Sequence, residues 1–254
     1  MKNVKKIADS LKISPWEKAD FDENGYLDIL VVGKIGKQYS VICLFGKPDN
    51  KYELKSISQS DFYYGTLPVM QNFTTKPTFD YYYFKSDYDS SNLYPKSTLH
   101  KSTLVYEFGT FIEKNDQPYV HKIEQIEFST SGCGGLCPVY KVVINSDKSA
   151  TWLWDSNYYN VVNKKVVNGN YGTKLISYNL SYLTQVLNYI DFARLKNIYA
   201  VPWTDDKSCE IKITYDNGKI KKISDYGMVG TFGLERVYKL LFDLWRTQEW
   251  HIIY

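Results

Sequence analysis

The second half of the chain alternates apolar and polar residues, with the two-residue period of strands that bury one face. This alternation predicts strands at 123–130, 139–145, 150–155 and 158–163. The segment Asn145-Ser146-Asp147-Lys148, which separates two of them, is rich in turn-forming residues. We therefore expect neighbouring antiparallel strands in this region.

Two segments in the same half place apolar residues every three or four positions, which predicts amphipathic helices. They lie at about 178–191 and between Leu234 and Trp245. Between them, Cys209 to Tyr215 alternates as a strand, and Asp216-Asn217-Gly218 predicts a tight turn into the next strand. Strands grouped together with a few helices favour an α+β fold, in which helices cover antiparallel sheets.

The first half of the chain is harder to assign. Apolar residues at helical spacing predict a short helix at 4–11, and apolar runs predict strands at 29–32, 39–45 and 52–57. Within 58–101 we expect one or two strands and a long irregular connection.

Residues 104–112 and 119–129 predict a hairpin around Asn115-Asp116-Gln117-Pro118. No low-complexity linker separates the two halves. We therefore expect two fused subdomains, an N-terminal α+β region at 1–120 and a second domain at 121–254.

Composition adds one unusual feature, because 24 of the 254 residues are tyrosines. Tyrosine favours strands and also suits recognition surfaces, since one end of its side chain is apolar and the other forms hydrogen bonds. The net charge is only +3 and the lysines are scattered, so no basic stripe indicates a nucleic-acid partner.

No apolar run approaches the ~18–20 residues that would span a bilayer, so we expect no membrane span in this chain. The basic start at 1–6 is not followed by the apolar core of a secretory signal peptide. Two histories fit. The protein is cytosolic, or it is a mature periplasmic, envelope or secreted protein whose export signal was replaced by Met1.

Two of the four cysteines, Cys133 and Cys137, flank a short glycine-containing loop before the strand that begins near Val139. Three interpretations stay open. The pair forms a short disulfide or a thiol pair that stabilises the strand entry. It acts as a redox centre or nucleophile, although no nearby histidine would activate a thiolate. It binds zinc with distant ligands such as Cys209 or His121.

The pattern C-x-G-x-C-P-x-Y, formed by Cys133, Gly135, Cys137, Pro138 and Tyr140, opens a predicted strand. Together with the helix and strands that follow, it resembles a bacterial domain of unknown function over about residues 123–254. The resemblance implies no activity, but it implies an exported envelope protein or lipoprotein, because members commonly have that character.

An acidic segment, Asp20 to Asp28, precedes the apolar run at 29–32. Oxygen-bearing residues stand at its first, third, fifth and ninth positions, with Gly25 at the sixth, and this spacing suits one hard cation such as calcium. The segment resembles a single calcium loop of an FG-GAP repeat. The alternative is a turn whose aspartates cap their own backbone. The candidate ligands are Asp20, Asp22, Asn24, the carbonyl of Tyr26, and Asp28.

Three further residues are candidates for ligand binding. Tyr81 and Tyr83 would expose their rings if they lie on an edge strand, where they could stack on a glycan or contact a protein. The alternative is that the rings cover the outer face of the sheet. Asp206 could serve as an acid beside a cysteine, or as a turn residue before the strand at Cys209.

These observations favour a non-catalytic, envelope-associated protein that binds a protein or glycan ligand, with calcium as its one candidate cofactor. One alternative is an enzyme, a hydrolase or thiol-dependent activity, that uses Cys133 or Cys137. Another is an inhibitor or immunity-type protein binder.

Overall fold

The computed structural model describes most of the chain. The described residues are 16–35, 38–57, 64–71, 75–87, 96–133, 137–154, 159–160, 165–166, 169–201 and 203–253. The helix predicted at 4–11 lies outside them. The chain divides into two compact units, Met1–Lys114 and Asn115–Tyr254, whereas the sequence pattern places the boundary after residue 120.

The first unit contains two four-stranded antiparallel sheets in which strands adjacent in sequence are also neighbours in space. The strands of one sheet are β1 (Trp16–Ala19), β2 (Asp28–Ile35), β3 (Gln38–Lys47) and β4 (Lys51–Ile57). Those of the other are β5 (Tyr64–Met70), β6 (Thr78–Asp87), β7 (Lys96–Glu107) and β8 (Thr110–Glu113).

Aromatic rings from both sheets form the core of the first unit. Phe111 of β8 lies 5.5 Å from the ring of Phe21, 5.2 Å from Phe79 and 5.9 Å from Phe45, centroid to centroid. Edge-to-face and offset contacts of this kind stabilise a core beyond the burial of apolar area. Phe21 is the second residue after β1, so this packing also fixes the start of the acidic segment.

The second unit is built on an eight-stranded sheet with the strand order β15-β17-β16-β9-β10-β11-β14-β18. Only the pairing of β15 with β17 is parallel. In chain order the strands of this unit are β9 (Ile123–Ser131), β10 (Tyr140–Asn145), β11 (Ser149–Trp154), a separate pair β12 (Tyr159–Asn160) and β13 (Lys165–Val166), β14 (Gly169–Lys174), β15 (Ile198–Ala200), β16 (Ser208–Tyr215), β17 (Lys219–Tyr226) and β18 (His251–Ile252).

Two helices, α1 (Ser177–Tyr189) and α2 (Phe232–Thr247), contribute apolar faces to the core of the second unit. Thr231 caps α2, because its hydroxyl accepts a hydrogen bond from the Leu234 amide. Towards the end of α2, the ring of Trp245 lies 5.4 Å from Trp152, which is stacked on Tyr140 at 4.5 Å. No helix among the described residues is long and apolar enough to cross a membrane.

The predicted α+β fold is wrong, because the protein is mostly β and its described part contains only two α-helices. The error arises in 58–101, where three strands, β5, β6 and β7, occupy much of the segment predicted to be irregular. Phe79, Asp80 and Tyr81 are all buried, so β6 does not alternate between buried and exposed residues. A strand buried on both faces lacks the period that identifies strands from sequence.

The predicted hairpin around residues 115–118 is also wrong. The turn lies earlier, between β7 and β8, where Phe108 and Gly109 both adopt positive φ angles of 52° and 75°. Two successive residues of this kind make a tight hairpin connection. The segment predicted to return as its second strand is instead β9, which pairs with β10 and β16 in the second unit.

Candidate functional site

The acidic segment is the connection between β1 and β2, whose pairing begins at Ala19 and Asp28. Asp20, Asp22 and Asp28 each direct a carboxylate oxygen to one place, where the three oxygens lie within 4.8 Å of one another. Gly25 has a φ of 85°, which permits the sharp reversal that brings both ends of the segment together. The carboxylates predicted from spacing are therefore neighbours in space.

Asp28 is the buried member of this group, with no exposed surface. Its two oxygens accept hydrogen bonds from the amides of Phe21, at 2.7 Å, and Gly46, at 2.8 Å. Burial raises the pKa of Asp28 above its ordinary value, and the charges of Asp22 and Asp20 raise it further, while the two amide hydrogen bonds oppose the shift. This carboxylate therefore lies in a site that disfavours its own negative charge.

Gly46 of β3 contributes contacts that the loop spacing does not reveal. Its amide binds Asp28, and its carbonyl accepts a hydrogen bond of 3.0 Å from the side chain of Asn24. A Cβ at this position would lie 2.6 Å from the carbonyl oxygen of Leu27, so only glycine allows the loop to approach β3 this closely. No local sequence signal identifies this residue.

The two remaining predicted ligands, Asn24 and Tyr26, are engaged with each other. The Asn24 side-chain oxygen accepts a hydrogen bond of 2.8 Å from the Tyr26 amide, and its nitrogen donates to Asp22 at 3.0 Å. Asp20 accepts hydrogen bonds from the amides of Asn24, at 3.0 Å, and Gly25, at 2.8 Å. The aspartates thus cap the loop backbone, and their carboxylate oxygens also lie close together.

Among the described residues, Lys47 is the one that forms an ion pair with an aspartate of the cluster. The Lys47 ammonium lies 3.4 Å from Oδ2 of Asp22, while the other oxygen of Asp22 is buried and accepts no hydrogen bond from any described residue. The side chain of Asp22 is only 13% exposed. Lys47 also lies 3.7 Å from Glu53, so its charge is divided between Asp22 and an acid outside the cluster.

Cys133 and Cys137 form a disulfide, with their Cα atoms 5.6 Å apart. The bond lies in the connection between β9 and β10. Beside it, Thr130 donates a hydrogen bond of 2.7 Å to the Pro138 carbonyl and accepts one of 3.2 Å from the Tyr140 amide. The disulfide therefore closes a connection whose base is already held by hydrogen bonds.

The other two cysteines are buried thiols. Burial raises the pKa of the Cys43 thiol, and it raises that of Cys209 to about 12. The Nδ1 atom of His121 donates a hydrogen bond of 2.5 Å to Oδ2 of Asp216. Within the described ranges, no cluster of metal-ligating side chains includes a cysteine or a histidine.

The three candidate binding residues have different environments. Tyr81 is fully buried, and burial raises the pKa of its hydroxyl. Tyr83 is half-buried, with its ring 5.7 Å from Tyr81 and stacked on His100 at 5.4 Å. Asp206 accepts a hydrogen bond of 2.9 Å from the Trp203 indole.

A buried polar network around Asp225 was not recognised from the sequence. Asp225 is 1% exposed and accepts hydrogen bonds from the amides of Val229 and Gly230, at 2.9 Å each, and from the Tyr238 hydroxyl at 3.0 Å. Its position in the alternation could have indicated burial, because Asp225 follows Ile223 by two residues and so lies on the same, buried face of β17. An acid at such a position must be satisfied by buried donors.

Comparison with known proteins finds a match only for part of the second unit. No curated protein and no solved structure matches the chain. A domain of unknown function, DUF6438, is found at residues 124–245.

Proposed function

We propose that this protein is a non-catalytic binding protein of the cell envelope, in which residues 20–28 hold one structural calcium ion. The observation that carries the calcium proposal is the convergence of Asp20, Asp22 and Asp28, whose carboxylate oxygens lie within 4.8 Å of one another. Calcium prefers clustered oxygen ligands, of which carboxylates are the commonest in proteins.

The electrostatics of the cluster support this proposal. Lys47 pairs with Asp22 and also with Glu53, and the buried Asp28 has a raised pKa, so the positive charge beside the three carboxylates is smaller than their combined negative charge. A bound divalent cation would supply that charge and favour the ionised form of Asp28. The buried oxygen of Asp22 that accepts no hydrogen bond from a described residue is suited to a metal bond.

The role of the ion would be structural. Asp28 begins β2, and its hydrogen bonds reach Phe21 in the loop and Gly46 in β3. An ion held by the three aspartates would therefore fix the pairing of three strands without supplying a catalytic group.

The non-catalytic part of the proposal rests on the cysteines, which were the candidate nucleophiles. Cys133 and Cys137 are joined to each other, and burial raises the pKa of Cys43 and Cys209. A thiol must ionise to act as a nucleophile, so these environments disfavour thiol chemistry. The disulfide also supports an oxidising compartment outside the cytosol, where calcium loops work at dissociation constants of about 10⁻⁴–10⁻³ M.

Thermal unfolding with calcium or with a chelator tests the calcium site. At 10 mM calcium, dissociation constants of about 10⁻⁴–10⁻³ M predict a stabilisation of roughly 1.4–2.7 kcal/mol, seen as a Tm higher by several degrees. Asp22→Ala should abolish the shift. The matched control is Asp49→Asn, which removes an exposed acid and keeps a residue that tolerates the φ of 62° at that position. A Tm that is equal in calcium and chelator, or a shift retained in Asp22→Ala, would reject the site.

A further inference from the structure

We infer that the β15 edge of the second unit binds an extended acidic segment of another protein, which pairs with β15 as an added strand. The inference rests on the proposed binding function and names the chemistry of the partner. It concerns residues far along the chain from the calcium loop, so each proposal can fail without the other.

The backbone of β15 has an open side. β15 is the terminal strand of the eight-stranded sheet and pairs only with β17 among the described strands. The Asn197 carbonyl accepts from the Ser224 amide at 2.8 Å, and the Val201 amide donates to the Tyr226 carbonyl at 3.0 Å. Because inward and outward groups alternate along a parallel strand, the amides and carbonyls of Ile198 and Ala200 point away from the sheet.

Exposed apolar side chains lie on the same part of the sheet. Ile198 is 72% exposed and stands opposite Ser224, and Ile220, on the same face of β17, is 61% exposed. The opposite face of β17 carries the buried Ile223 and Asp225. Ile198 therefore offers a partner an apolar contact beside the open backbone groups, and Ile220 offers a second one four residues further along the same face, about 13 Å from Ser224.

Two lysines give this edge a positive charge, which favours a partner strand with acidic side chains. Lys196 is exposed, and the ammonium of Lys221 donates hydrogen bonds to the Leu195 carbonyl and, at 2.7 Å, to the Asn197 side chain. Neither lysine forms an ion pair with an acidic residue in the described part of the chain. Lys221 therefore holds a positive charge beside the first residue of the open edge, which complements acidic side chains on an added strand.

Lysines near a sheet edge also protect a protein against pairing with its own copies. That protection alone would not require Ile198, the first residue of β15, to be 72% exposed. The two explanations predict different results, because a protective lysine prevents self-association and a recognition lysine strengthens the binding of an acidic strand.

The probe is a fluorescently labelled hexapeptide of alternating glutamate and valine, with a lysine–valine hexapeptide as its charge-reversed control. We expect saturable binding of the acidic peptide only. Lys196→Glu should weaken it at least threefold, and Lys196→Glu/Lys221→Glu at least tenfold. The charge-matched control, Lys174→Glu/Lys239→Glu, should bind as the unchanged protein does. The Lys196 side chain is exposed and forms no hydrogen bond or ion pair with a described residue, so the single variant remains informative if the double variant unfolds.

Amide hydrogen exchange identifies the mode of binding. The acidic peptide should slow exchange at Ile198 and Ala200, because a paired strand accepts hydrogen bonds from their outward amides. Equal binding of both peptides, unchanged affinity in the lysine variants, or unprotected amides at these two positions would overturn the inference. Self-association of the lysine variants without loss of peptide binding would instead show that the lysines protect the edge.

Discussion

Replacement of both Cys133 and Cys137 by serine tests whether the disulfide stabilises the folded protein rather than taking part in a reaction. The bond joins residues four positions apart, so it closes a loop of five residues counted inclusively. Around it, the hydrogen bonds from Thr130 to the Pro138 carbonyl and from the Tyr140 amide to Thr130 involve neither cysteine. The folded variant should therefore keep the β9–β10 pairing. Its free energy of unfolding should fall mainly because the unfolded chain, without the cross-link, gains conformational entropy.

The size of that loss follows from loop closure. For five residues, the chain-entropy relation gives about 6.9 cal/mol/K, or about 2 kcal/mol at 25 °C. For a protein of this size, a loss of about 2 kcal/mol corresponds to a Tm lower by roughly 4–8 °C. The value is small because entropy grows only with the logarithm of loop length, and this loop is short.

Urea unfolding at 25 °C, with and without a reductant, provides the measurement. The double serine variant and the reduced unchanged protein should lose the same free energy of unfolding, since both lack only the cross-link. Equal stability of the oxidised and reduced proteins would refute the loop-closure reasoning. A loss above about 4 kcal/mol would show that the disulfide makes native contacts of its own. A substrate whose conversion disappears in the folded variant would show that the cysteines act chemically.

Two further predictions concern the second unit. Thr231→Ala should lower the free energy of unfolding by about 1 kcal/mol, because the Leu234 amide loses its cap, whereas Thr231→Ser should retain most of it; urea unfolding of both checks this. Burial raises the pKa of Asp225, so this group favours the folded state below its ordinary pKa of about 3.9 and loses that contribution as pH rises through the folded pKa. The free energy of unfolding of the unchanged protein minus that of Asp225→Asn should therefore become more positive as pH falls from 7.5 to 4.5. A value that becomes more negative would contradict the raised pKa.

The strands that alternate cleanly were predictable from sequence. The strand predicted at 123–130 is β9, and the one from Cys209 to Tyr215 lies within β16, because in each case one face is buried under apolar neighbours and the other is polar. The two helices were predicted for the same reason, since each buries one stripe. The spacing of apolar residues along the sequence was informative wherever only one face of a strand or helix was buried.

The fold class was not predictable in this way, because β6 is buried on both faces and its Phe79-Asp80-Tyr81 run has no period. Such a run is as compatible with an irregular aromatic segment as with a strand. The turn at Phe108-Gly109 was equally hidden, since phenylalanine is not a residue that favours a positive φ. The contacts that override these local preferences come from the neighbouring strands β5, β7 and β8.

At the candidate site, spacing alone indicated which aspartates converge, because the loop is continuous in sequence. It did not indicate Gly46, which approaches from β3, or Lys47, which places a competing positive charge 3.4 Å from Asp22. Which residues of β3 face the loop depends on the register between β2 and β3, and the loop sequence does not specify that register.

The acidic loop and the disulfide occupy equivalent places in the two units. Each lies in the connection of an antiparallel pair, residues 20–27 between β1 and β2 and residues 132–139 between β9 and β10, and each connection is eight residues long. Hairpin connections of two to five residues set strand register by their turn geometry, and longer ones do so less strictly. A shift of one residue would turn every buried side chain of β2 or β10 to the wrong face. The hydrogen bond from the Phe21 amide to Asp28 joins the two ends of one connection, and the disulfide cross-links residues within the other. Both therefore restrict the register that loop length alone leaves open.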